Sequence, residues 1–115
     1  MSSDRNTELL SRISKYCGEI KEAITLFGDS YEVFVKTAPY RNAVAMCVLQ
    51  IGELSGHLTA DFREQFDDIP WRSIKGARNF MAHNYGELKT EILWRTVHED
   101  IPQLADFCES VLKVQ

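Results

Sequence analysis

The chain has 115 residues, with 13 Lys and Arg against 17 Asp and Glu and a net charge of −4. Hydrophobic residues make up 44% and charged residues 26%, the composition of one globular domain spanning 1–115 and not of a disordered chain. The acidic balance excludes a protein that grips nucleic acid over its whole surface, because such domains are usually strongly basic.

The amino terminus, Met1-Ser2-Ser3-Asp4-Arg5, is polar and leads into no apolar signal segment. No uncharged run approaches the ~20 residues that span a bilayer. Cys17, Cys47 and Cys108 are far apart and form no C-x-x-C pair. An odd count without a leader points to a reducing cytoplasm, and the spacing offers no zinc site. The expectation is a cytoplasmic protein with no membrane partner, no metal and no cofactor. No role is assigned to the cysteines.

The periodicity is helical nearly throughout. Leu9, Ile13, Tyr16, Ile20, Ala23 and Phe27 form one apolar stripe and predict a first helix from about Thr7 to Phe27, stopped by Gly28. Asp29-Ser30 offers an N-cap for a short helix from about Ser30 to Thr37, which ends before Pro39. A longer helix from about Pro39 to Thr59 buries Val44, Cys47, Val48, Ile51, Leu54 and Leu58. Asp67-Asp68-Ile69-Pro70 turns into a fourth helix with Asp68 as N-cap and Gly86 as C-terminal stop. Thr90 caps the last helix, which runs to about Lys113 with Leu93, Val97, Ile101, Leu104, Cys108 and Val111 inward. Pro102 is expected to kink or restart it. Trp71 and Trp94 are expected core anchors. The fold predicted is all-α, an up-and-down bundle of four to five antiparallel helices.

Charge is uneven along this chain. Residues 61 to 68 carry four acids against Arg63, whereas the stretch from Pro70 to Gly86 holds Arg72, Lys75 and Arg78 and no acid. That helix also ends in Arg78-Asn79-Phe80-Met81-Ala82-His83-Asn84-Tyr85-Gly86, a crowd of polar groups that the core does not need. Asn79 and His83 are four apart and share a face. Arg78 and His83 are five apart, about 140° around the axis, so they flank a cleft or meet counterparts from a second subunit.

One Arg and one His without metal ligands suit RNA phosphodiester cleavage. A base takes the 2′-hydroxyl proton, an acid protonates the leaving oxygen, and a guanidinium steadies the phosphorane. A two-fold dimer would supply two of each group. Arg72 and Lys75 are the further phosphate or RNA contacts. Glu53 interrupts an apolar helix and needs a cationic partner such as Arg78 or Arg41, as a structural ion pair or as support for the site. His57 and His98 read as exposed or solvated residues.

The segment from Asp68 to Gly86, with Ile-Pro-Trp before Arg78 and His-x-Tyr after it, resembles the signature of the HepT-like family of HEPN-domain proteins. Ile51-Gly52-Glu53-Leu54, Ile92-Leu93-Trp94 and Asp100-Ile101-Pro102-Gln103-Leu104 extend the resemblance over most of the chain. It implies an all-helical, usually dimeric protein and a metal-independent endoribonuclease toxin of a toxin–antitoxin pair. Arg78 and His83 would then be catalytic at a cleft between protomers, with Asn79 supporting them. It also implies a nucleotidyltransferase antitoxin of the MntA kind that adenylylates Tyr85, in a homodimer or a higher hetero-oligomer. The bulky negative charge would sit beside His83 and repel a substrate phosphate, as phosphorylation would. Two other readings stay open: a non-catalytic adaptor that binds a nucleotidyltransferase or a nucleotide, and a bundle kept only for dimerisation.

Overall fold

A computed structural model describes residues 2–84 and 90–113, apart from the side chains of 2–4, 83 and 84. Those residues form six helices and no strand: α1 (Ser2–Phe27), α2 (Tyr31–Lys36), α3 (Ala38–Gly56), α4 (Ala60–Gln65), α5 (Trp71–Asn84) and α6 (Thr90–Lys113). Both α3 and α6 pack on α1 and on α5, so the four long helices close a ring around one core. Cross-helix pairs fix the directions. The Phe27 ring stacks on Tyr40 with centroids 4.9 Å apart, while Asn6 near the other end of α1 bonds Thr59 beyond the end of α3. Ser73 Oγ meets Asp100 at 2.6 Å and Gln103 donates to the Asp68 carbonyl at 3.0 Å, so α5 and α6 also run antiparallel. This is the all-α up-and-down bundle that the periodicity predicts.

The predicted stripes line the core, with Tyr16, Ala23, Phe27 and Val111 only partly buried against it. Leu9, Ile13 and Ile20 of α1, all six inward residues expected on or just beyond α3, and Leu93, Val97, Ile101, Leu104 and Cys108 of α6 are buried. Each such aliphatic side chain contributes about 1.5–3 kcal/mol of transfer free energy. Gly28 closes α1 with φ of 113°, a conformation that costs other residues strain. Ser30 caps α2 by accepting from Val33 N, as expected.

Several boundaries differ from the sequence reading. α1 starts five residues before Thr7. α3 stops at Gly56, and Thr59 instead caps α4, accepting from Phe62 N at 3.2 Å. That short helix lies in an acidic stretch to which the periodicity assigns no element. Phe62 and Phe66 stack on each other at 4.9 Å and against Phe107 of α6, which holds α4 on the bundle. Asp68 is not the cap of α5, because α5 begins at Trp71 and Ile74 N bonds the Pro70 carbonyl. α6 runs through Pro102 without restarting. The burial of Ile101 and Leu104 on either side of it outweighs the one helix bond that proline forgoes. Trp71 and Trp94 are half-buried, packed against the core and not enclosed by it. No described helix is long and apolar enough to cross a membrane.

Burial pushes the Cys17 thiol up to about 12, with Cys108 and Cys47 adding to the effect. Burial likewise raises Cys108 to about 12 and Cys47 to about 11, the latter with help from Glu19. All three thiols are free and buried among α1, α3 and α6.

Candidate active site

α3 and α5 come close together where α3 carries glycine. A Cβ on Gly52 would stand on the Cβ of Arg78 and 2.6 Å from its Cγ. The missing side chain therefore lets the Arg78 stem lie directly on the α3 backbone. The next residue, Glu53, completes the arrangement. Its Oε1 accepts from Arg78 Nε at 2.6 Å and also from Nη2, while Nη1 of the same guanidinium donates to Asn79 Oδ1 at 3.0 Å. The Arg78 and Glu53 side chains are 31% and 41% exposed. Three of the five guanidinium N–H groups are thus committed and two are left over. The pair orients the arginine more than it stabilises the fold, because partly exposed ion pairs contribute little.

Arg41, the other partner considered for Glu53, lies elsewhere. Its Nη1 caps the end of α2 through the Phe34 carbonyl at 3.2 Å and the Val35 carbonyl.

Beside Arg78 opens a cavity of about 510 Å³ lined by Glu53, His57, Arg63, Arg72, Lys75 and Asn79, among others. Its four cations face one carboxylate, a local +3 on a chain whose net charge is −4. Glu53, Arg72, Lys75, Arg78 and Asn79 of the sequence reading are therefore brought together in one place. Asn79 bonds Arg78. His83 lies on α5, about 7.5 Å along the axis beyond Arg78. Its side chain, Tyr85 and Gly86 lie outside the described residues.

Two lining residues were not singled out from sequence. His57 is the C-cap of α3, exposed at the cavity rim and not on a helix face. Arg63 belongs to α4, to which the periodicity assigns no element. The signal for α4 was present in Thr59 followed by Asp61 in a first turn and by Phe62 and Phe66 at helical spacing. His98 is not simply solvated. Its Nδ1 faces the Trp94 carbonyl at 2.9 Å, its Nε2 meets Asp29 Oδ1 at 2.7 Å, and its ring lies 4.1 Å from that of Trp94.

A second, apolar groove of about 390 Å³ lies between α3 and α5, where Ala45, Met46 and Leu49 face Met81 and Ala82. Met46 is 54% exposed there. No cluster of three His, Cys, Asp or Glu side chains able to hold a metal occurs among the described residues.

The sequence profile described as ribonuclease HepT-like matches residues 13–111. The chain belongs to the HepT-like family. "Probable ribonuclease HepT" of Thermococcus cleftensis is 33% identical over 103 residues, covering 85% of this chain and 94% of that protein. "Putative RNase MJ1380" of Methanocaldococcus jannaschii is 36% identical over 81 residues, 70% of this chain and 74% of that one. No solved structure matches. The HepT-like match takes in all of α2 to α5 and most of α1 and α6, and with them Gly52, Glu53, Arg78 and His83.

Proposed function

We propose that this HepT-like protein is a metal-independent endoribonuclease toxin acting through Arg78 and His83. The observation that carries the reading is the guanidinium of Arg78, held by Glu53 and Asn79 at the edge of a cavity with a local +3. The family and the names of the two relatives agree with it. In this mechanism His83 takes the proton of the 2′-hydroxyl, which attacks the adjacent phosphorus and forms a 2′,3′-cyclic phosphate. A second protonated group returns a proton to the departing 5′-oxygen. Arg78 stabilises the extra negative charge of the phosphorane through its two uncommitted N–H groups. Arg72 and Lys75 hold the RNA backbone.

A two-fold dimer supplies the second histidine. The apolar groove of Ala45, Met46, Leu49, Met81 and Ala82 supports this, because Met81 and Ala82 directly precede His83 in α5 and the groove exposes a large methionine. The antitoxin is a nucleotidyltransferase that places AMP on Tyr85, two residues from His83, and so puts negative charge where the substrate phosphate would lie.

The test is incubation of total RNA with purified protein in excess EDTA, with His83→Ala in parallel and the intact mass of each recorded. Fragments ending in cyclic phosphate from the wild type alone are expected. Silence from an unmodified wild type would replace this reading with the adaptor. Silence from a wild type heavier by AMP would identify the neutralised form.

A further inference from the structure

Beyond Arg78 the cavity has an outer wall made by three elements: the end of α3, α4, and the first turns of α5. α3 ends at His57, whose backbone N–H bonds the Leu54 and Ser55 carbonyls while its ring stays at the cavity. Arg63 reaches back from α4, and its Nη1 donates to the Ser55 carbonyl at 3.1 Å and the Gly56 carbonyl at 3.2 Å. That contact covers the carbonyls a helix leaves unpaired at its C-terminus and cancels the negative end of α3, which would otherwise repel an anion here. Three of the Arg63 N–H groups remain. Arg72 and Lys75 form no ion pair among the described residues, and both are exposed. Counted along α5, they stand about 9 Å and 4.5 Å from Arg78 on the side away from His83.

Ser55 lines the cavity and is only 5% exposed, yet its hydroxyl has no hydrogen-bond partner among the described residues. That oxygen is itself enclosed, so the groups open to a ligand in the cavity are the cations and His57. The volume of about 510 Å³ suits a nucleotide-sized group and exceeds the needs of a lone ion. Trp71 also lines the cavity, but its Nε1–H is already given to the Phe66 carbonyl at 3.0 Å, so it offers no hydrogen bond to a base edge.

We infer that this wall, made by His57, Arg63, Arg72 and Lys75, is a subsite for the phosphodiester next to the scissile one. RNA is then held by two successive backbone phosphates and no base is read. The identity of the ligand as RNA rests on the ribonuclease reading, whereas the phosphate chemistry of the wall does not. The order of groups along α5 carries the assignment. His83 and Arg78 come at one end, then Lys75 and Arg72, so that a strand crossing Arg78 runs directly onto the wall. The carboxylate in the cavity, Glu53, is bound to Arg78 and leaves the wall cationic.

The experiment measures binding, not cleavage. Oligonucleotides carrying 2′-O-methyl groups cannot form the cyclic product, and they are prepared with one, two or three internucleotide phosphates and followed by fluorescence anisotropy. The full chain should bind the two-phosphate probe roughly tenfold more tightly than the one-phosphate probe, the gain expected of one charge-assisted contact. His57→Gln and Lys75→Gln, each checked for unchanged helicity by circular dichroism, should lose most of that gain. The slope of log affinity against log salt should fall by about 0.7 for each phosphate contact removed. A wild type without the gain, or variants that keep it, overturns the subsite. Competition by AMP as effective as by the two-phosphate probe also overturns it, because the wall would then serve a free nucleotide. A length gain that disappears in the variants, in a protein that cleaves no unmodified RNA, would uphold the wall and remove the ribonuclease reading alone.

Discussion

Aromatic clusters brace both ends of this bundle, yet the two ends finish differently. At one, Phe27, Phe34, Tyr40 and Trp94 pack with centroids 4.9–6.4 Å apart. Two polar tips beside them are spent: Tyr40 donates to the Gly28 carbonyl, and His98 sits between Asp29 and the Trp94 carbonyl. At the other, Phe62, Phe66, Trp71 and Phe107 pack in the same manner, but the side chains above them form a cavity with unspent cations. Similar apolar bracing thus supports two outcomes. Where Tyr40 and His98 find partners inside the chain, the aromatic cluster is closed. Where Arg72, Lys75 and His57 find none among the described residues, the end is arranged for something outside it.

The largest expected effect would break the core that both ends share. Three buried thiols titrate above an ordinary value near 9, two of them only at about 12 and one at about 11. Their neutral forms are favoured by folding, so that stabilisation is whole below pH 9 and is lost as pH rises towards 12. Each contributes a slope of at most about 1.4 kcal/mol per pH unit. The chain should therefore lose a large part of its stability as pH rises above 9. Denaturant melts between pH 8 and 11 check this, and the fall should be shallower in Cys108→Ala.

Next comes the helix contact that places Arg78. Gly52→Ala should cost about 1–3 kcal/mol, because the added methyl overlaps the Arg78 stem and the helices must part. Thermal melts give the stability loss, and RNA cleavage should fall along with it. A smaller effect is expected of Glu53→Gln, which keeps the shape but removes the charge that aims the guanidinium. Cleavage should drop roughly tenfold, equivalent to about 1.4 kcal/mol, with unchanged helicity. The smallest is His98→Ala at the closed end, where two hydrogen bonds and a ring contact are lost. About 1 kcal/mol should disappear, lowering Tm by roughly 4 °C.

The sequence displays the closed end and the core more readily than the open end. Apolar stripes at three- and four-residue steps carry the four long helices, because burial and periodicity are the same fact seen twice. The pairing of Glu53 with Arg78 is also foreseeable, since a carboxylate on an apolar helix demands a cation. The wall of the cavity is not. α4 is one and a half turns long and acidic, too short for a periodic signal, so Arg63 looks like a lone base among acids. His57 becomes a cavity residue only because α3 ends three residues before Thr59. Gly52 stands in the quoted motif, but its purpose appears only when the Arg78 stem is seen resting on it.

The most direct test sets the two ends side by side, with cleavage of a defined RNA in excess EDTA and thermal melts for Arg78→Ala and His98→Ala. Arg78→Ala should lose about 10²–10³-fold in cleavage rate while melting close to the wild type. His98→Ala should melt lower and cleave normally. Cleavage by Arg78→Ala at the wild-type rate would contradict the assignment of the open end as the active site.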